Sequence, residues 1–322
     1  MIRSRRALLL ATAFIIMGPA SVCAQSFTLS GGLDLRAGVL TNPRLASVTG
    51  LSSLFVNFRK VLADDAGDRF ILVGQVDVEE EIARTRLYNA YGQYKGPLGR
   101  WNVRVGRYLV PFGLHAYYDT ERVLLAAHEG EALGTKLSQG IELLGYAGPF
   151  DYAASLNRSP WSGVMPVARL GWQGEDVRFG LSYLFGRLPS FADRESVLVD
   201  ELVVPGARPI DKHRVAVDYE QALGPLMLRL EPVAGFDEDS RVFGGYAEAA
   251  YALSPRWEIA ANGAALHSGL VGDRWRSGVS LGFRLLPTVF IRGAYLHRND
   301  FGAHTDMLVA QLYGDFSQPL GD

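Results

Sequence analysis

Two alternating segments flank a Gly/Pro turn in the stretch LYNAYGQYKGPLGRWNVRVGRYLVPFG, residues 87–113. Successive side chains of a strand point to opposite sides, so the second segment has an apolar and a polar face. The apolar face carries Trp101, Val103, Val105 and Leu109, and the polar face carries Asn102, Arg104, Gly106 and Tyr108. Arg107 is an exception on the apolar side. The stretch predicts a β-hairpin with one face for an apolar medium and one for water.

The same rhythm continues along the chain and predicts sixteen strands. Short turns are expected at 63–68, 96–100, 148–149, 174–176, 223–225, 254–256 and 286–287, whereas the connections 111–138 and 188–211 are long. Short turns at one end and longer loops at the other are typical of outer-membrane barrels, which in bacteria have an even number of strands. We therefore predict an all-β fold, a 16-stranded antiparallel transmembrane β-barrel, and not a soluble β-sandwich.

Hydrophobic patterning agrees with strands that cross a membrane. After the first residues, no apolar run reaches the ~18 residues of a transmembrane helix. Trp101, Trp172 and Trp257 all lie beside predicted short turns, where indole rings suit a membrane interface. The sequence thus predicts an apolar belt with aromatic residues at one rim.

The first residues have the features of a secretory signal. Arg3, Arg5 and Arg6 form a basic region, residues 7–17 are apolar, and small residues at 22 and 24 precede a cleavage site. A twin-arginine signal and a lipid-modified Cys23 are the alternatives. We predict a signal peptide over 1–24, one barrel domain over 25–322, and location in the bacterial outer membrane.

Cysteine content and charge exclude several classes of function. Cys23, the one cysteine, falls in the predicted signal, so the mature chain has no disulfide and no thiolate metal site. Without the three signal arginines, 29 basic and 34 acidic residues give a net charge of −5. Nothing in this balance favours nucleic acid as a partner.

A family resemblance rests on the motifs Ala90-Tyr91, Val105-Gly106-Arg107-Tyr108 and Pro111-Phe112-Gly113. These residues resemble the porin family that includes the phosphate-selective porins O and P. The resemblance implies a porin fold and passive transport, with trimers common among 16-strand porins. Lys136 is the only lysine of the long loop, so phosphate selectivity is not carried over.

The loop that follows the fifth strand is the predicted pore constriction. It carries four acids, two bases and two histidines: His115, Asp119, Glu121, Arg122, His128, Glu129, Glu131 and Lys136. In a water-filled tube, low-dielectric walls focus the field of such charges, which then set ion preference. The excess of acids favours cations. The alternative is an exposed loop with solvated charges.

Basic residues at inward strand positions form a second predicted feature, the lumen wall. With one tyrosine, they are Arg36, Arg59, Arg104, Tyr108, Arg178, Arg214, Arg229, Arg276, Arg284 and Arg292. Acids such as Asp34, Glu142 and Glu248 are interspersed with them. This mixture favours cross-strand ion pairs that stiffen a polar wall over a basic path for anions.

The sequence does not predict a catalytic site. Gly278-Val279-Ser280-Leu281-Gly282 matches G-x-S-x-G, but the nucleophile elbow needs a strand-to-helix turn, and this motif falls within a predicted strand. A metal held by His115 and His128 is a weaker alternative to their solvation. We predict no enzyme activity and no cofactor.

The sequence favours an outer-membrane channel for passive diffusion of small hydrophilic solutes or ions. Outer-membrane lipid, lipopolysaccharide and a homotrimer are the expected partners. The alternative is a structural sheath, a barrel around a periplasmic partner such as a multihaem cytochrome.

Overall fold

The computed structural model describes residues 24–40, 48–64, 67–79, 84–114, 137–159, 163–189, 209–270, 272–300 and 303–320. Residues 1–23 of the predicted signal peptide lie outside these ranges, so cleavage after Ala24 stays a prediction. Residues 115–136 of the predicted constriction loop also lie outside these ranges, so their position in the lumen stays a prediction.

Sixteen antiparallel strands form one closed barrel, in which each strand pairs with its neighbours in sequence and β1 pairs with β16. The predicted fold is confirmed. The strands are β1 Ala24–Leu40, β2 Val48–Asp64, β3 Gly67–Glu79, β4 Arg84–Lys95, β5 Asn102–Leu109, β6 Leu137–Ala147, β7 Phe150–Arg158, β8 Val164–Gln173, β9 Val177–Pro189, β10 Pro209–Leu223, β11 Leu226–Asp237, β12 Ser240–Ala252, β13 Trp257–Ser268, β14 Gly272–Leu286, β15 Val289–Asp300 and β16 Ala303–Pro319.

Closure leaves no unpaired edge in this sheet. Thirteen residue pairs, from Thr28–Pro319 to Leu40–Met307, join the first strand to the last. Full closure satisfies the backbone donors and acceptors that lipid cannot hydrogen-bond, which is why barrels can span membranes.

The two ends of the barrel differ in their connections. All seven predicted short turns lie at one end of the barrel, together with the start of β1 and the end of β16. We call this end the turn end. The opposite, loop end carries the long connections 110–136 and 190–208. Three loop-end connections, after β11, β13 and β15, have only two or three residues, so the difference in length comes from a few long loops.

Exposure alternates along the strands, with large apolar side chains outward and mostly polar ones inward. Val105, Leu170, Leu181 and Leu308 are among the exposed apolar residues, whereas Glu142 and Asp218 are buried. At the turn end, Trp101 packs on Tyr94 and Trp257 on Phe283, with ring centroids 5.5 and 4.6 Å apart. The predicted aromatic rim is therefore present. In the described part of the chain, no helix is long and apolar enough to cross a membrane.

The glycine of the Val-Gly-Arg-Tyr motif has a steric reason. Gly106 has φ +136°, and a Cβ there would lie 2.2 Å from the Ala90 carbonyl oxygen of the paired strand. Only glycine fits a backbone that approaches its neighbour this closely.

Candidate functional site: the lumen and the segment that enters it

Ion pairs cover much of the inward face of the barrel. Arg169 on β8 bridges two acids on different strands, with its guanidinium nitrogens 2.5 Å from Asp151 and 2.7 Å from Asp218. Arg214 lies 2.5 Å from Asp237, whose other oxygen accepts a hydrogen bond from Ser268. Paired in this way, buried charges keep hydrogen-bond partners in place of water.

The ion pairs continue around the wall. Arg229 pairs with Glu220 at 2.9 Å and with Glu248, which also accepts a hydrogen bond from Tyr246. Arg104 lies 2.9 Å from Glu142, and its guanidinium is 4.7 Å from the centre of the Tyr91 ring. These ion pairs make this part of the wall polar.

The inward face also has an apolar area, which sequence alternation did not indicate. Inward residues of six consecutive strands, β8 to β13, form it: Met165, Val167, Leu184, Leu188, Ala216, Val233, Val242 and Leu266. Apolar side chains facing a water-filled tube are unfavourable unless something covers them. Val110 and Phe112 pack into this same cluster.

The chain turns into the lumen directly after β5. The Phe112 amide donates a hydrogen bond of 2.8 Å to the Val110 carbonyl, which closes a three-residue turn centred on Pro111. The fixed φ of proline suits the central position of such a turn. Phe112 is 1% exposed and packs with the inward apolar residues of β8 to β13.

Two backbone hydrogen bonds then fasten the segment 110–114, which we call the lumen segment. The Gly113 amide donates to the Ser182 hydroxyl at 3.0 Å, and the Leu114 amide donates to Glu231 Oε2 at 2.6 Å. Ser182 and Glu231 lie near the middle of β9 and β11. β5 itself pairs with β4 and β6, whereas these two anchors lie on β9 and β11. The lumen segment therefore leaves its own part of the wall and crosses to the far wall at about mid-height of the barrel.

Glycine is required at position 113. Its φ is +62°, and a Cβ there would lie 2.5 Å from Glu231 Oε2. Leu114 completes the contact by packing with Tyr246 and Ala264 of β12 and β13. The Val-Pro-Phe-Gly sequence therefore supplies, in order, an apolar anchor, a turn, a second apolar anchor and a close backbone contact.

The structure places the predicted lumen-wall residues on the inward face of their strands. Arg104, Tyr108, Arg214, Arg229 and Arg292 are largely covered, and Arg292 lies 3.7 Å from Glu258. Arg36 pairs with Asp34 at 2.6 Å. The more accessible Arg59, Arg178, Arg276 and Arg284 are distributed over β2, β9 and β14. Their role in permeation stays a prediction.

All eight predicted constriction residues, His115, Asp119, Glu121, Arg122, His128, Glu129, Glu131 and Lys136, lie outside the described residues. Their predicted position in the lumen is therefore untested. The described segment immediately before them does lie in the lumen.

Several inward charged residues were not predicted from the sequence. Arg169 follows the alternation of β8 and could have been found from it. Lys212 lies near the start of β10, Asp237 is the last residue of β11, and Asp151 closely follows the turn at 148–149. Strand ends are the least reliable part of such predictions, and facing could not be assigned there.

Ser280 of the G-x-S-x-G match lies within β14, opposite Ala260 on one side and Ala294 on the other. This is extended ladder backbone and not the sharp turn of a nucleophile elbow. Among the described residues, no group of three or more histidines, cysteines and acids could hold a metal ion.

No family model matches the sequence, and no curated protein matches it. Its fold is similar to that of the anion-selective porin from Comamonas acidovorans, with a TM-score of 0.70 and 12% identity over 91% of this chain and 100% of that chain. The outer membrane channel DcaP of Acinetobacter baumannii gives a TM-score of 0.66 and 12% identity, over 93% and 99%. The trimer form of OmpT, an outer membrane protein of Vibrio cholerae, gives 0.67 and 11%, over 91% and 100%. The general porin-type barrel is shown, whereas membership of the phosphate-selective porins stays a prediction.

Proposed function

We propose that this porin-type barrel is a passive diffusion channel of the bacterial outer membrane for small hydrophilic solutes or ions. The observation that carries the proposal is the lumen segment. A chain segment that leaves the wall, crosses the tube at mid-height and is fastened on the far side narrows the path for a solute.

Permeation would need no energy coupling and no chemical step. Solutes small enough to pass the narrowed region diffuse through, and charge decides among them because low-dielectric walls strengthen the field of fixed groups. The paired arginines and acids of the wall hold its shape under that field. The barrel therefore acts as a sieve with a defined charge pattern.

Ion preference is assigned to the residues that follow the lumen segment. Glu121, Glu129 and Glu131 belong to a loop with four acids and two bases, which favours cations. The arginines of the wall favour anions. We propose that the loop outweighs the wall in setting the ion preference, because it forms the narrower part of the path.

Outer-membrane location, a cleaved signal over 1–24 and a homotrimer belong to the same proposal. They are supported by the signal-like first residues and by the outer-membrane proteins that share the fold. A sheath around a multihaem cytochrome is less favoured, because the barrel's own segment occupies part of the space a partner would need.

Single-channel current of the purified protein in a planar bilayer tests the proposal. We expect discrete steps and a reversal potential with cation preference in a salt gradient. The triple variant Glu121→Gln, Glu129→Gln, Glu131→Gln should move the reversal potential toward anions, whereas neutralising Glu175 and Asp176, in a short turn, should not. A folded barrel that passes no current would refute the channel.

A further inference from the structure

A row of uncharged polar side chains crosses the inward face of three neighbouring strands, β2 to β4. Asn57 and Gln75 are directly opposite each other in the paired strands, and the Asn89 amide donates a 2.8 Å hydrogen bond to Gln75 Oε1. We call Asn57, Gln75 and Asn89 the amide row. Elsewhere the lumen wall presents ion pairs, such as those of Arg169 and Arg229. The amide row is therefore a neutral hydrogen-bonding surface within a charged wall.

The amide row lies at about the height at which the lumen segment narrows the barrel. Asn57, Gln75 and Asn89 are seven, eight and six residues from the turn-end limits of β2, β3 and β4. β5 ends at Leu109, seven residues from its own turn-end limit, and the lumen segment begins directly after it. A solute in the narrowed part of the barrel therefore passes beside the amide row.

The wall around the amide row is more open than the wall behind the lumen segment. Inward side chains of β7 to β9 are almost fully covered, since Asn157, Val167 and Leu184 are 1%, 3% and 0% exposed. Asn57 and Asn89 are half-buried. The lumen segment runs from β5 to β9 and β11, so the path that it leaves for a solute lies on the side of β2 to β4.

The amide row has hydrogen-bonding capacity that the fold does not use. Asn57 Oδ1 is buried and accepts no hydrogen bond, which is unfavourable unless a donor is supplied. Gln75 Nε2 donates to Asp77 at 3.0 Å, and Asp77 is 1% exposed, so the accessible groups are amides rather than a carboxylate. A side-chain amide both donates and accepts, as a hydroxyl group does, whereas a guanidinium only donates and a carboxylate only accepts. The row therefore suits a ligand with several hydroxyl groups.

An aromatic ring lies next to the amide row on its turn-end side. Tyr91 follows Asn89 by two residues on β4, and the residue opposite it on β5 is Gly106, which has no side chain. The Arg104 guanidinium lies 4.7 Å from the centre of the ring and donates to Gln93 at 3.2 Å, so it holds the ring in place. Tyr91 is half-buried. An aromatic ring of this kind offers an apolar face to C–H groups beside the polar row.

We propose that the amide row and Tyr91 form a binding site for a neutral sugar of one or two rings. The hydroxyl groups of the sugar bond the amides, and the C–H face of one sugar ring lies against Tyr91. An ion gains little here, because the amides carry no charge to offset the water that it would lose. A neutral peptide satisfies amides as well but has no ring of C–H groups to cover Tyr91. This inference rests on the proposed channel and names one class of solute that it passes.

Single-channel ion current recorded with maltose in solution tests the site, because a bound sugar interrupts the current while it stays. Asn57→Leu with Asn89→Leu removes two hydrogen-bonding groups and should weaken the maltose block about tenfold. Tyr91→Leu should also weaken it, whereas Tyr91→Phe should leave it unchanged, because the ring face is what binds. Asn262→Leu removes an inward amide of β13 and is the matched control; its block should equal that of the original protein.

Two further probes decide between classes of ligand. Maltobionate, an anion of similar size, and the neutral peptide N-acetyl-triglycinamide should each block less than maltose at equal concentration. Stronger block by either one, or equal maltose block in the double variant and the original protein, would overturn the proposal. Equilibrium dialysis of labelled maltose against the purified barrel measures the same tenfold loss without current. An absent ion current would therefore refute the channel alone, and dialysis would still decide the sugar site.

Discussion

Glu231 is the group whose removal should release the lumen segment. Its carboxylate accepts the 2.6 Å hydrogen bond from the Leu114 amide, at the point where the segment reaches the far wall. A hydrogen bond to a charged group contributes about 1.5–3 kcal/mol. Glu231→Ala removes the acceptor, and Glu231→Gln keeps an acceptor without the charge.

The size of the effect follows from that free energy. Since about 1.4 kcal/mol is a factor of ten, Glu231→Ala should raise the population of detached segment by about ten- to a hundred-fold. The apolar contact of Phe112 remains, so detachment should be transient. In single-channel recordings we expect excursions to a higher conductance, frequent for Glu231→Ala and rarer for Glu231→Gln.

Glu248→Ala is the matched control. Glu248 is also a lumen carboxylate, on the adjacent strand, but it bonds Arg229 and Tyr246. Both substitutions remove one negative charge from the lumen, so a difference between them isolates the anchoring hydrogen bond. Equal conductance and equal current noise for the two variants would refute the reasoning.

Three further substitutions test other parts of the structure. Gly113→Ala places a Cβ 2.5 Å from the anchoring carboxylate at a φ of +62°, so its current should show the same excursions as that of Glu231→Ala. A steady current would contradict this. Arg169→Met leaves two buried carboxylates without their cation and should lower the free energy of unfolding in urea, measured in lipid vesicles, by about 3–5 kcal/mol. Arg158→Met, exposed on the outward face, should change it by no more than about 0.5 kcal/mol. Equal losses would show that the buried ion pairs contribute no more to stability than an exposed arginine does. Leu181→Lys introduces a charge on the outward face of β9 and should cost about 2–4 kcal/mol by the same measurement, while Leu98→Lys in an exposed turn should cost little; a tolerated Leu181→Lys would argue against lipid on that face.

The predictable part of the fold is the part encoded by neighbouring residues. Alternation along Asn102–Leu109 shows directly which side chains share a face, because a strand has a period of two. Gly148-Pro149 marks its turn by local backbone preferences. Strand number, order and the turn end follow from such local signals, since each strand of this barrel pairs with the next one in sequence.

Contacts between distant residues could not be read in this way. Nothing local links Leu114 to Glu231, 117 residues later, or Arg169 to Asp218. The inward apolar residues of β8 to β13 interrupt the expected polar pattern, and the contacts they make with Val110 and Phe112 explain them. His213, His267, His297 and His304 lie far apart in the sequence but all lie near the loop end of the barrel, because their four strands end there at the same level.

The sequence by itself determined the barrel: sixteen alternating strands, their antiparallel order, the short turns and the aromatic rim at the turn end. Each of these depends on residues close together in the chain, where backbone geometry and side-chain alternation decide. Tertiary structure alone decided how arginines and acids pair across the wall and that Val110–Leu114 enters the lumen. Those features arise only when the barrel closes, because closure brings strands that are remote in sequence around one lumen and one outer surface.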